Sequence, residues 1–122
     1  MILSVDTATP IRSIAVARGA RTLAVVRGEG NTHSASALGE IDAALRAARA
    51  ELSEVDLFAV ASGPGSFTGL RAGLATVMAF ATTLARPAVG VPTLHAVAHA
   101  AGAGERVLAL IPAGRGEVFA QL

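Results

Sequence analysis

Apolar and polar positions along this chain change period several times, and each change marks an element. The opening run MILSV is apolar and closes on Asp6-Thr7, the pattern of a buried strand. Thr9-Pro10 follows as a turn. Ile11 to Ala17 alternates around Ile14 and Val16, and Thr22 to Val26 is again rich in β-branched residues. Arg18-Gly19-Ala20-Arg21 joins the two as a hairpin. The chain is therefore expected to open with a three-stranded antiparallel meander.

The period then lengthens. Leu38, Ile41, Leu45, Ala48 and Leu52 recur at three- and four-residue steps, with Glu40, Arg46 and Arg49 off that stripe. This predicts an amphipathic helix from Ala35 to Leu52, with cap candidates in Asn31-Thr32-His33-Ser34. Leu57 to Ala61 reads as a buried strand and Phe67 to Ala85 as a second helix. Ala88 to Val91 is a short strand between Pro87 and Pro92, and Thr93 starts a third helix to about Ala101. Strands at Val107 to Ile111 and Glu117 to Leu122 close the chain. The order β-β-β-α-β-α-β-α-β-β predicts an α/β protein, a mixed sheet with helices on its faces. LSVDTATPIRSIAVA (Leu3 to Ala17) and LALIPAGRGEVFAQL (Leu108 to Leu122) share a strand–turn–strand pattern, a weak internal echo that any two hairpins would also show.

The second helix departs from amphipathic patterning. No charge lies between Arg71 and Arg86. Leu70, Leu74, Val77, Met78, Ala81 and Leu84 are expected to face the sheet. Ala72, Ala75, Thr76, Ala79 and Thr83 are expected on the other side, and Gly69/Gly73 and Ala75/Ala79/Thr83 put small residues four apart. A helix without a polar face wants burial all round. Small residues four apart let a second helix approach closely. A central core helix is the alternative, but one sheet and one neighbour cover only part of it, which favours an intermolecular helix–helix surface.

Composition agrees with an incompletely covered core. Of 122 residues, 52% are hydrophobic and 16% charged, which is apolar for a chain with so much surface to keep wet. The length suits one domain with a core rather than two. Ten arginines carry all the formal positive charge apart from histidine, spread without a basic run, so no nucleic-acid stripe forms. The absence of cysteine removes disulfides and thiolate metal sites and suits the cytoplasm. Asp6 interrupts the first apolar run, so no secretory pattern appears. The charge-free run Ala72 to Ala85 is 14 residues, short of the roughly 20 that a bilayer requires.

Glycine-rich ASGPGSFTGLRAG (Ala61 to Gly73), between strand and helix, invites a phosphate reading. The P-loop pattern fails: counting from Gly63, Thr68 stands where its second glycine belongs, and the chain has no lysine. The dinucleotide pattern fails too, because its third glycine would fall on Thr68 rather than Gly69. What remains is generic: amides at a helix N-terminus that can take an anion, with Gly63 and Gly65 shaping the turn and Ser66 as cap. Asp6, at the end of the first strand, reads either as a ligand for a magnesium–nucleotide complex or as the cap of a local turn, the second reading needing no further acid. His95 and His99 are four apart on a helix but lack an intervening acid or a third ligand, so no metal site is expected. His33 receives no catalytic role, and no Ser-His-Asp spacing is present.

ILSVDTAT (Ile2 to Thr9), SGPGSFTGLRAG (Ser62 to Gly73), GVPTLHAVA (Gly90 to Ala98) and GEVFAQL (Gly116 to Leu122), in this order, resemble the TsaB (YeaZ) family over the whole chain. The resemblance implies the actin, heat-shock chaperone and sugar-kinase superfamily, with a ribonuclease H-like lobe. It implies that residues 1–106 form the first lobe and 107–122 the first hairpin of a second lobe that this chain does not complete. It makes Asp6, Thr7, Gly63, Gly65 and Ser66 a vestigial nucleotide- or anion-binding set. The second hairpin departs from the family pattern, with Pro112 where Asp is common and Gly114 where Arg is common. The two metal-binding histidines of the related TsaD align at about Thr93 and Val97, two residues out of step with His95 and His99.

The same resemblance implies a function: an accessory subunit without catalysis of its own in the synthesis of threonylcarbamoyladenosine on tRNA, beside the anticodon. It implies no cofactor, a heterodimer with TsaD, contact with TsaE through that complex, homodimers when alone, and tRNA reached indirectly. The interface it implies lies on the first two helices, at Leu38, Ile41, Leu45, Gly69, Ala72, Gly73, Ala75, Thr76, Ala79 and Thr83. Two rival classes remain: a nucleotide-dependent kinase or ATPase using Asp6 and the loop amides, and a metallopeptidase.

Overall fold

A computed structural model describes residues 1–29, 35–102 and 106–122. Strands β1 (Ile2–Asp6), β2 (Ile11–Arg18) and β3 (Arg21–Glu29) form the expected meander. They are followed by α1 (Ala35–Ala47), β4 (Leu57–Ala61), α2 (Phe67–Thr83), β5 (Ala88–Val91), α3 (Thr93–Ala100), β6 (Ala109–Gly114) and β7 (Glu117–Gln121). Five strands make one mixed sheet in the order β3-β2-β1-β4-β5, in which β1, β4 and β5 run parallel. Strands β6 and β7 form a separate antiparallel pair.

Register explains why the apolar alternation works. Val5 lies opposite Ile14 on one side and Val60 on the other, so the buried side chains of three strands share one face. Leu3, Val5, Ile14, Val16, Phe58 and Val60 build that face. Helix α1 covers it with Ile41, Ala44 and Leu45, and α2 with Val77 and Ala81. The Phe58 and Phe80 rings stack at 6.0 Å between centroids. Helix α3 packs elsewhere, placing Leu94 against Ala109 and Ile111 of the β6–β7 hairpin.

Helix ends differ from expectation, for a backbone reason. Helix α1 stops at Ala47, not Leu52, because Arg49 adopts the left-handed conformation (φ 52°). The Ala50 amide then turns back to the Leu45 carbonyl, the bond that closes a Schellman cap. Helix α2 ends in the same way, with Ala85 at φ 50° and the Arg86 amide donating to the Ala81 carbonyl. Neither cap uses glycine, so neither has the usual mark in the sequence. Cap candidates 31–34 and His33 lie outside the described residues.

Strand β3 runs past Val26 to Glu29, and Gly28 makes this compatible with α1. The Arg12 guanidinium pairs with the Glu40 carboxylate through two bonds, Nη2 to Oε1 at 2.7 Å and Nε to Oε2 at 3.2 Å. This pair occupies the space where a side chain at position 28 would stand. Glu40 holds the Arg12 pKa above its ordinary value through that hydrogen bond, against a smaller opposing effect of burial.

Candidate functional interface on the second helix

The elbow between β4 and α2 is locked to the turn after β1. Thr7 Oγ1 donates to the Gly69 carbonyl at 2.7 Å, and the Ser66 amide donates to the Ala8 carbonyl at 2.7 Å. Ser66 Oγ caps α2 by accepting from the Gly69 amide at 3.2 Å. Gly63 sits at φ 106°, a backbone angle that glycine takes without strain, and its carbonyl accepts from the Thr93 amide at 2.8 Å. The loop therefore ties three parallel-strand ends and two helix starts together.

Those bonds use two of the four amides, Ser66 to Gly69, that an anion at the start of α2 would need. The Ser66 and Gly69 amides are already occupied within the chain. Asp6 Oδ1 accepts from the Ala8 amide at 2.9 Å, the local turn that its sequence position allows. Beside Asp6, a cavity of about 140 Å³ lies between Ala96 of α3 and Ser4, Ala59 and Val91 of the sheet. Small-molecule sites usually run to roughly 300 Å³ or more. His95 accepts from the Gln121 side-chain amide at 3.1 Å and so links α3 to β7. Among the described residues, no group of three His, Asp or Glu side chains is arranged to hold a metal ion, and no helix is long and apolar enough to cross a membrane.

Helix α2 lies over the sheet by Gly73, Val77 and Ala81, which agrees with the expected facing at Val77 and Ala81 and corrects it at the glycine and at Leu74 and Met78. Gly73, Val77 and Ala81 are buried. Gly69 and Gly73 press on Thr7, where a Cβ at either position would collide with the Thr7 carbonyl or hydroxyl. These two glycines serve the fold, Gly73 buried and Gly69 half-buried. Leu74 and Met78, expected against the sheet, are exposed instead, Met78 by 55%. Ala75, Ala79 and Thr83 are exposed, while Ala72 and Thr76 are half-buried. The Thr76 hydroxyl donates back to the Ala72 carbonyl at 2.8 Å.

On α1, the expected interface residues divide. Leu38 is 51% exposed, whereas Ile41 and Leu45 are buried in the chain's own core. Their edges still line an open groove between the two helices, floored by Leu52 and Phe80. The outward surface thus consists of Leu38 and this groove, and of the line Phe67, Arg71, Leu74, Met78 and Thr82 along α2, with Ala75 and Ala79 beside it. Phe67, Leu74 and Met78 were missed as outward residues. Their seven- and four-residue spacing is the available signal, but it is shared by any buried stripe.

A mixed five-stranded sheet opening with a meander, followed by a strand–elbow–helix and a second hairpin, defines an actin-like, ribonuclease H-like lobe. Residues 29–122 match the family model described as TsaD, tRNA N6-adenosine threonylcarbamoyltransferase, and the chain belongs to that family. Its relatives over almost the whole chain bear the name TsaB. The tRNA threonylcarbamoyladenosine biosynthesis protein TsaB of Escherichia coli is 33% identical over 97% of this chain and 52% of its own length. The TsaB of Haemophilus influenzae is 37% identical over 97% of this chain and 51% of its own length. The solved structure of YeaZ from Pseudomonas aeruginosa superposes with a TM-score of 0.86 at 35% identity, covering 96% of this chain and 56% of that one. The chain spans about half the length of the relatives it matches.

Proposed function

We propose that this chain is an accessory subunit, without catalysis of its own, in threonylcarbamoyladenosine synthesis on tRNA. It scaffolds TsaD through the outer faces of α1 and α2, meets TsaE through the resulting complex and reaches tRNA indirectly, in the cytoplasm. Without TsaD the same apolar face joins two copies. Residues 1–106 act as the first lobe and 107–122 as the opening hairpin of a second.

The observation that carries this reading is the exposed apolar line on α2. Phe67 is 68% and Met78 55% exposed on a helix with no charge from Ala72 to Ala85. Exposed patches of this kind mark interaction sites in soluble proteins. The relatives' names supply the pathway, and the use of the Ser66 and Gly69 amides within the elbow favours a scaffold over a nucleotide enzyme. Gel filtration of the chain with TsaD of the same organism tests it. Co-migration that Ala75→Arg and Ala79→Arg abolish is expected; separate elution of the unsubstituted proteins overturns the reading.

A further inference from the structure

The chain has no cysteine, no tryptophan and no tyrosine, and all its sulfur lies in two methionines, Met1 and Met78. The two sit in opposite surroundings. Met1 is partly buried and packs against the main core. Met78 stands on the outer side of α2 with 55% of its surface exposed. It borders an open groove of about 370 Å³ between the end of α2 and the start of β5, shared with Thr82, Ala85, Arg86 and Ala88. A small oxidant in solvent therefore reaches the Met78 side chain, and no thiol or indole competes for it.

A peroxide is the oxidant that this chemistry needs. The sulfur lone pair attacks one peroxide oxygen, the O–O bond breaks and an S–O bond forms. The second oxygen leaves with the proton of the first, as water from hydrogen peroxide. Sulfur loses two electrons and the peroxide gains them. The product replaces a flexible apolar side chain with a polar one that accepts hydrogen bonds. Its neighbours on the outer side of α2, Leu74, Ala75 and Ala79, offer no side-chain donor. A partner that covers this line must then bury a hydrated oxygen where it met a thioether, and an acceptor buried without a donor is unfavourable.

We propose that Met78 is the oxidation-sensitive residue of this protein, and that its conversion to the sulfoxide by a peroxide withdraws the chain from its partner. The proposal rests on the scaffolding role given above and adds its regulation. Coverage and oxidation oppose each other: burial shields the sulfur, and the sulfoxide weakens burial. The switch therefore acts on the uncovered chain, and a methionine sulfoxide reductase resets it.

The test treats the dilute chain with hydrogen peroxide, locates the added oxygen by peptide mass spectrometry, and titrates TsaD calorimetrically before and after. Met78 is expected to oxidise before Met1, with circular dichroism unchanged. The affinity for TsaD should fall about tenfold and return after treatment with the reductase. Met78→Gln, polar without oxidation, should bind more weakly than the unsubstituted chain. In Met78→Leu, peroxide should not alter whatever affinity that variant shows. Full affinity in a chain carrying the Met78 sulfoxide overturns the proposal while the scaffolding role stands. So does a peroxide-induced loss of the same size in Met78→Leu, a Met78 that resists peroxide, or loss of the fold on oxidation. If the untreated, unsubstituted chain fails to bind TsaD, the scaffolding role falls and the proposal with it.

Discussion

Thr7 and Gly73 meet so closely that any side chain at position 73 would collide with the Thr7 hydroxyl. The same hydroxyl donates to the Gly69 carbonyl one turn earlier on α2. The turn after β1 and the first two turns of α2 are thereby held as one unit, and the outward direction of Phe67, Leu74 and Met78 follows from it. Gly73→Ala is expected to destabilise the protein by about 2 kcal/mol, through overpacking against a site with no room to relax. Thr7→Val keeps the shape but removes the donor, and should lose about 1 kcal/mol. Urea unfolding followed by circular dichroism measures both. Wild-type stability in Gly73→Ala would show that the contact is slack.

Substitution at the helix ends should act in the opposite direction. Ala85 and Arg49 occupy left-handed positions that disfavour side chains. Ala85→Gly and Arg49→Gly are each expected to stabilise the fold by about 1 kcal/mol, partly offset by the greater freedom of glycine when unfolded. Thermal melts showing a lower midpoint in both variants would contradict the cap assignment.

The Arg12–Glu40 pair predicts a larger loss. Both side chains are mostly buried, at 12% and 15% exposure, and their two bonds join β2 to α1 across Gly28. Glu40→Ala leaves a charged guanidinium short of its carboxylate and is expected to lower stability by about 2 kcal/mol. Gly28→Ala should do comparable damage by displacing the Glu40 carboxylate. The two losses should be less than additive in a double-variant cycle, because they strike the same contact. Full additivity would mean that the pair and Gly28 act independently.

Much of this architecture was legible in the alternation of apolar residues. Leu3, Val5, Ile14, Val16, Phe58 and Val60 lie where a period of two places them, and the element order followed. The helix ends were not legible, since Arg49 and Ala85 carry no glycine or proline mark. The facing of α2 was read correctly at Val77 and Ala81 and misread at Leu74 and Met78, for a different reason. When every side of a helix is apolar, hydrophobicity cannot separate the sheet-facing side from the outward one. What decides it is the close approach at two positions: glycines at 69 and 73 let the backbone meet Thr7, which turns Gly73, Val77 and Ala81 inward and leaves Leu74 and Met78 facing out. On α1 the apolar stripe marked the core correctly, and only Leu38 at its edge is strongly exposed.

The central claim is that another protein covers the outer line of α2. Because the chain has no cysteine, one introduced thiol reports its own surroundings. Met78→Cys places it in that line, and Val25→Cys on the half-exposed edge strand β3 serves as control. With TsaD at saturation, maleimide labelling at position 78 should slow by about tenfold or more, since a reagent must await dissociation of a buried interface, and labelling at 25 should keep its rate. Equal labelling of position 78 with and without bound TsaD would show that the partner docks elsewhere and would contradict the account.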